Sequence, residues 1–165
     1  MRNKKFSALA VTALLSSAIL FTGCGKKEND NSEELKVFRS QIDSFCATIV
    51  NVDSSINAID TSADGYDKTL LTELDKLDNE FKAFSAIDFP QDYDYLEPLA
   101  DEAADYMTTA VTSYHDVFEN DYSKETASSK YTYATENYSR AYKRIQVIVT
   151  FLNGEISEDV TISKE

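Results

Sequence analysis

Residues 35–59 read LKVFRSQIDSFCATIVNVDSSINAI, and the spacing of their apolar side chains decides the fold. Leu35, Phe38, Ile42, Phe45, Ile49, Val52, Ile56 and Ile59 follow one another at unbroken intervals of three and four. A strand would place its apolar residues two apart. This pattern instead marks a helix whose stripe needs a partner helix along its whole length. Asp43, Ser44, Asn51, Ser54, Ser55 and Asn57 fall off the stripe and are expected to face water.

Thr61-Ser62-Ala63-Asp64-Gly65 interrupts the stripe with turn-forming residues. The pattern resumes at Leu70, Leu74, Leu77, Phe81 and Phe84, with Leu71 widening the apolar face, until Asp88-Phe89-Pro90 stops it. A third helix begins between Gln91 and Pro98, since proline is tolerated only in a first turn. Its seam reads Leu96, Leu99, Ala103, Tyr106, Ala110, Tyr114 and Val117. Glu119 to Ser123 forms a turn with Asp121 or Ser123 as the next N-cap. A fourth helix carries Ala127, Tyr131, Ala134, Tyr138, Ala141, Ile145, Ile148 and Leu152, and Gly154 is placed to end it.

Short connections make successive helices antiparallel neighbours, so the expected fold class is all-α, an up-down-up-down four-helix bundle over 33–154 with heptad-like seams. The first turn sets Ile56 opposite Leu70, Ile49 opposite Leu77 and Phe45 opposite Phe81. The third loop sets Ala110 opposite Ala134, Tyr106 opposite Tyr138 and Ala103 opposite Ala141. Paired alanines should bring the third and fourth helices close together. The same register predicts flanking ion pairs of Asp101 with Lys143 or Arg144, and of Asp105 with Arg140. Residues 155–165 are expected to be a C-terminal tail.

Ahead of the bundle, Arg2, Lys4 and Lys5 precede an apolar run from Phe6 to Phe21, which ends in Phe21-Thr22-Gly23-Cys24. Those sixteen residues fall short of the roughly 20 that span a bilayer. They fit a secretory signal peptide over 1–23. The small pair Thr22-Gly23 before cysteine resembles the lipobox of bacterial lipoproteins, although that family usually has leucine where Phe21 stands. The resemblance covers residues 1–24 only. It implies diacylglyceryl attachment to the Cys24 thiol and cleavage before it by signal peptidase II. An uncleaved anchor, or a soluble protein cut near Ser16-Ser17-Ala18, would be the other readings of this segment. Two acyl chains hold a protein at a membrane where one is marginal. Residues 24–32 then become a lipidated cysteine and flexible tether, with Asn31 or Ser32 capping the first helix and Glu34 completing a capping box. The expected location is the outer face of the cell membrane, and Lys26-Lys27 beside the lipid lean toward a Gram-positive organism.

Charge limits the partners. Three of the 16 basic residues lie in the signal, leaving 13 against 29 acidic groups in the remaining chain. Such a field repels nucleic acid. With Cys24 acylated, Cys46 would be the one remaining thiol and is expected to be a small buried hydrophobe. His115 is the sole histidine, and Thr112 stands where a di-iron bundle would need glutamate. From Asp88 to Asp121 there are ten acidic residues and no lysine or arginine. Asp92, Asp94 and Glu97 lack the glycine and the terminal glutamate of a calcium loop. No metal, no cofactor and no enzymatic activity are therefore expected. The function expected is that of a non-catalytic binding or structural module. Its alternatives are an accessory or regulatory subunit of a membrane complex, or a carrier of a small ligand or cation between helices.

The topology puts the lipid and the Pro90 loop at one end and the loops at 60–66 and 119–124 at the other. Asp60, Asp64, Asp67, Glu119, Asp121 and Tyr122 make that far tip the expected contact surface for a protein or cell-wall partner. A second candidate surface is aromatic: Tyr93, Tyr95, Tyr122, Tyr133 and Tyr142 lie off the main seams, where exposed rings could stack on glycans or peptides.

Overall fold

The computed structural model describes residues 33–154; the signal, Cys24, the tether with its capping residues, and the tail lie outside the described residues. Four helices form an antiparallel bundle: α1 (Glu33–Asn57), α2 (Tyr66–Ser85), α3 (Glu97–Glu119) and α4 (Lys124–Leu152). A six-residue 3-10 segment, Gln91–Leu96, leads directly into α3.

Each boundary has a local cause. Gly65 takes φ 80°, a left-handed conformation that strains side chains other than glycine's, and so turns the chain into α2. Pro98 sits in the first turn of α3, where its missing N–H costs nothing. At the start of α4 the Ser123 hydroxyl accepts from the Thr126 N–H at 3.3 Å. Such a cap is worth about 1 kcal/mol. Beyond the end of α4, Gly154 at φ 68° donates its N–H to the Phe151 carbonyl. α1 stops at Asn57 rather than at Ile59, yet Ile59 still packs against the core half-buried.

The predicted stripes form one continuous core. Ile49, Leu74, Leu77, Phe81, Ala103, Ala110, Ala134, Ala141, Ile145 and Ile148 have no exposed surface. Cys46 is buried among them, as expected. Rings join α1 to α2: Phe45 meets Phe81, the residue the first turn sets opposite, edge-on at 5.3 Å, and stacks more closely, at 4.3 Å, on Phe84 one turn further along. Between α3 and α4, Asp116 meets Lys130 and Glu102 meets Arg144, each partner two positions past the residue the alanine pairing sets opposite. Helical side chains lean about one position toward their own N-terminus, and two antiparallel helices together produce that offset. α3 and α4 make the most extensive close approach of any helix pair, followed by α2–α3 and then α1–α2. Alanine against alanine permits this approach; phenylalanine against phenylalanine does not.

Three expectations are corrected. Tyr106 does not form a layer with Tyr138. Met107 is fully buried in its place, and the half-buried Tyr106 ring lies under the guanidinium groups of Arg140 and Arg144, at 5.7 and 5.8 Å. A phenol at the seam's edge keeps its hydroxyl near water while its ring covers apolar surface, so thioether and phenol exchange places. Tyr142, expected at the surface, is 2% exposed. Arg144 finds Glu102 at 2.7 Å rather than Asp101, because Glu102 stands closer to the seam.

The two ends are closed differently. At the end where α1 starts, Phe89 packs on Phe38 at 4.8 Å and Tyr93 stacks on Phe38 at 6.1 Å. Tyr95 meets Phe151 edge-on at 6.0 Å, so the loop after α2 plugs the core with rings. At the opposite end Tyr66 stands edge-on to Phe118 at 6.4 Å, joining the α1–α2 and α3–α4 loops.

Candidate functional site

The six far-tip residues are brought to one end of the bundle by two turns. Asp60, Asp64, Glu119 and Asp121 are exposed, while Asp67 and Tyr122 are half-buried. Several are committed to their own chain. The Asp60 carboxylate accepts from the Ser62 N–H at 2.9 Å and its hydroxyl at 2.6 Å, which holds Asp60 below the usual carboxylate range. The Asp67 carboxylate accepts the Lys68 N–H at 3.0 Å. Tyr122 donates its hydroxyl to Asp116 at 2.7 Å, and Lys130 donates to the other oxygen of Asp116 at 2.7 Å. The Lys130 ammonium also lies 4.9 Å from the centre of the Tyr122 ring. Bonds from Lys130 and Tyr122 keep Asp116 ionised to lower pH than a free aspartate. The tip is thus a braced loop pair, fixed in shape and rich in carboxylates.

The five off-seam tyrosines do not converge. Tyr93 and Tyr95 lie at the opposite end from Tyr122, Tyr133 is 54% exposed on α4, and Tyr142 is internal. No single aromatic face collects them.

What periodicity missed is a polar clasp at the edge of the core. Asp53, one residue past Val52 on α1, accepts hydrogen bonds from Tyr138 at 2.6 Å and Tyr142 at 2.8 Å, both on α4. The two hydroxyls lie 3.2 Å apart, and their rings stack at 4.8 Å. Tyr142 also packs on Phe81 of α2 at 5.5 Å. Burial pushes the Asp53 carboxyl up, against the pull of the two phenols. It pushes both phenols well above their ordinary value, so at neutral pH they stay protonated and act as donors. The arrangement suits a fixed cross-link between the first and last helices. The one sequence signal was a carboxylate adjoining the stripe opposite a tyrosine pair at positions 138 and 142.

A third tyrosine, Tyr114 on α3, is also deeply set. The Tyr114 hydroxyl lies 3.1 Å from that of Thr135, and its ring meets Tyr131 edge-on at 5.3 Å. Burial pushes Tyr131 up to about 12 and Tyr114 higher still.

Two further features bear on ligands. A shallow groove of about 280 Å³ runs between α1 and α2, with Phe45 and Phe84 as its floor and Ser40, Ser44, Thr48 and Ala83 among its walls. In the acidic stretch, Glu97 accepts the Phe89 N–H at 3.4 Å, while Asp92 and Asp94 are exposed. Among the described residues no group of three or more His, Cys, Asp or Glu is placed to hold a metal ion. No helix among them is long and apolar enough to cross a membrane. Comparison with protein-family models, with curated proteins and with solved structures finds no match to this chain.

Proposed function

We propose that this protein is a lipoprotein held at the outer face of the cell membrane through Cys24, whose bundle serves as a non-catalytic binding or structural module. One observation carries the reading: a basic start, a sixteen-residue apolar run and Phe21-Thr22-Gly23-Cys24 occur in the order that lipid attachment requires. The bundle's geometry supports the use of such an anchor. Glu33 opens α1 nine residues after Cys24, and α1 is 25 residues long, or about 37 Å at 1.5 Å per residue. The braced carboxylate tip lies at the far end of that length and would face away from the membrane, where a protein or cell-wall partner could reach it. The carrier alternative has less support, since Tyr106 and Tyr138 point to different neighbours and share no space.

Metabolic labelling with a fatty-acid probe tests the anchor directly. The full chain should take up label and sediment with membranes, and Cys24→Ser should lose both properties. Unlabelled wild-type protein, or a Cys24→Ser variant that is processed and membrane-bound as before, would overturn the proposal.

A further inference from the structure

His115 stands on α3 about one turn before its end, with a carboxylate on each ring nitrogen. Nδ1 lies 2.9 Å from Glu119 on the same helix, and Nε2 lies 2.9 Å from Asp75 on α2. A neutral imidazole has one N–H and one lone pair, so it can donate to only one of these carboxylates and turns its lone pair on the other. Only the imidazolium donates to both.

The geometry points to a proton-operated strut: doubly protonated His115 ties α2 to the last turn of α3 through Asp75 and Glu119, and loss of one proton releases a carboxylate beside the far tip. The surrounding charges leave the two carboxylates as the groups that govern it. On α2, Lys76 is taken by Glu73 at 2.6 Å, and Lys82 by Asp78 at 2.7 Å. On α3, Asp116 is turned to Lys130 of α4 and to Tyr122. Tyr66 and Phe118 present rings at this end. The His115 side chain is 31% exposed, so protons exchange with solvent freely.

Partial burial opposes the charge on His115, but the bonds to Glu119 and Asp75 outweigh it and raise the imidazole above its ordinary 6.5. The sign follows. The strut is fully made below about 6.5, the unfolded histidine value. Its contribution is lost as pH rises through the higher folded value. Deprotonation also removes one positive charge from a tip that already carries Asp60, Asp64 and Asp121. The strut does not depend on lipid attachment or on a partner at the tip.

Imidazole NMR titration of the full chain, with amide exchange followed at 118–123, tests it. His115 should titrate above 6.5, and Asp75→Asn and Glu119→Gln should each lower that value. Protection factors at 118–123, which take out the intrinsic rise of amide exchange with pH, should fall about two- to fivefold across the transition, as expected when a partly exposed ion pair is lost. His115→Gln should remove this pH dependence while leaving the fold intact. Titration at or below 6.5, no response to either carboxylate substitution, or protection factors at 118–123 that stay constant across the transition would each overturn the strut.

Discussion

The α1–α2 and α3–α4 pairs solve the same packing problem with opposite side chains. α1 and α2 meet through large ones: Phe45 wedges against both Phe81 and Phe84, and the helices leave a groove over Phe45 and Phe84 lined by serine, threonine and alanine. α3 and α4 meet through Ala103, Ala110, Ala134 and Ala141, approach more closely, and carry their cross-links at the flanks as Glu102–Arg144 and Asp116–Lys130. Bulky seams derive their strength from buried area but stand apart. Small seams gain backbone proximity and leave no room for growth. The first kind should be sensitive to deletion of atoms and the second to their addition.

Substitutions on either side can break that contrast. The largest effect is expected from Phe81→Ala, which removes a fully buried ring touching Phe45 and Tyr142. A loss of about 3–5 kcal/mol by urea denaturation is expected. Next comes Ala141→Leu, which adds three carbons to the close seam and should cost about 1–3 kcal/mol through overpacking. A cost near zero would show that α3 and α4 can separate freely.

Asp53→Asn sharpens the comparison from between the pairs, because Asp53 joins α1 to α4. Asparagine can still accept from a phenol, and a loss of about 1 kcal/mol is expected at neutral pH. Burial raises Asp53 above its ordinary 3.8. Its contribution is therefore greatest below that value and declines as pH rises through the folded value. Denaturation between pH 3 and 7 should show this decline in the difference between wild type and variant, where the other carboxylates cancel; parallel curves would dismiss the clasp as a titrating element. Smallest of all is Ala83→Leu, the addition made in Ala141→Leu but placed in the open α1–α2 groove. It should stay within about 0.5 kcal/mol.

The sequence carried the bundle plainly because several signals coincided. Gly65, Pro98, Ser123 and Gly154 each stand where an apolar stripe begins or ends, and each acts there for the reason its chemistry supplies. Ala103 and Ala134 foretold the close helices as well as any large residue could. Side-chain choice at the seam's edge was harder to read. Tyr106 and Met107 satisfy the same spacing, and only the tertiary pairing with Arg140 and Arg144 decides which turns inward. Asp53 and His115 were illegible for a related reason: a polar residue's partners lie 85 and 40 positions away, and periodicity registers only the apolar face. Topology puts the tip residues at one end of the bundle, but their internal bonds were not visible until the loops met.

The differing closures of the two ends imply that stress from solution would act on them separately. Rings such as Phe38, Phe89 and Tyr93 hold one end, and their attraction fades in the cold but is not screened by added electrolyte. Charged and hydroxyl groups around His115 and Asp116 hold the other, where ions in solution weaken them within a few ångströms. Chilling and brine should therefore fray this molecule from opposite poles.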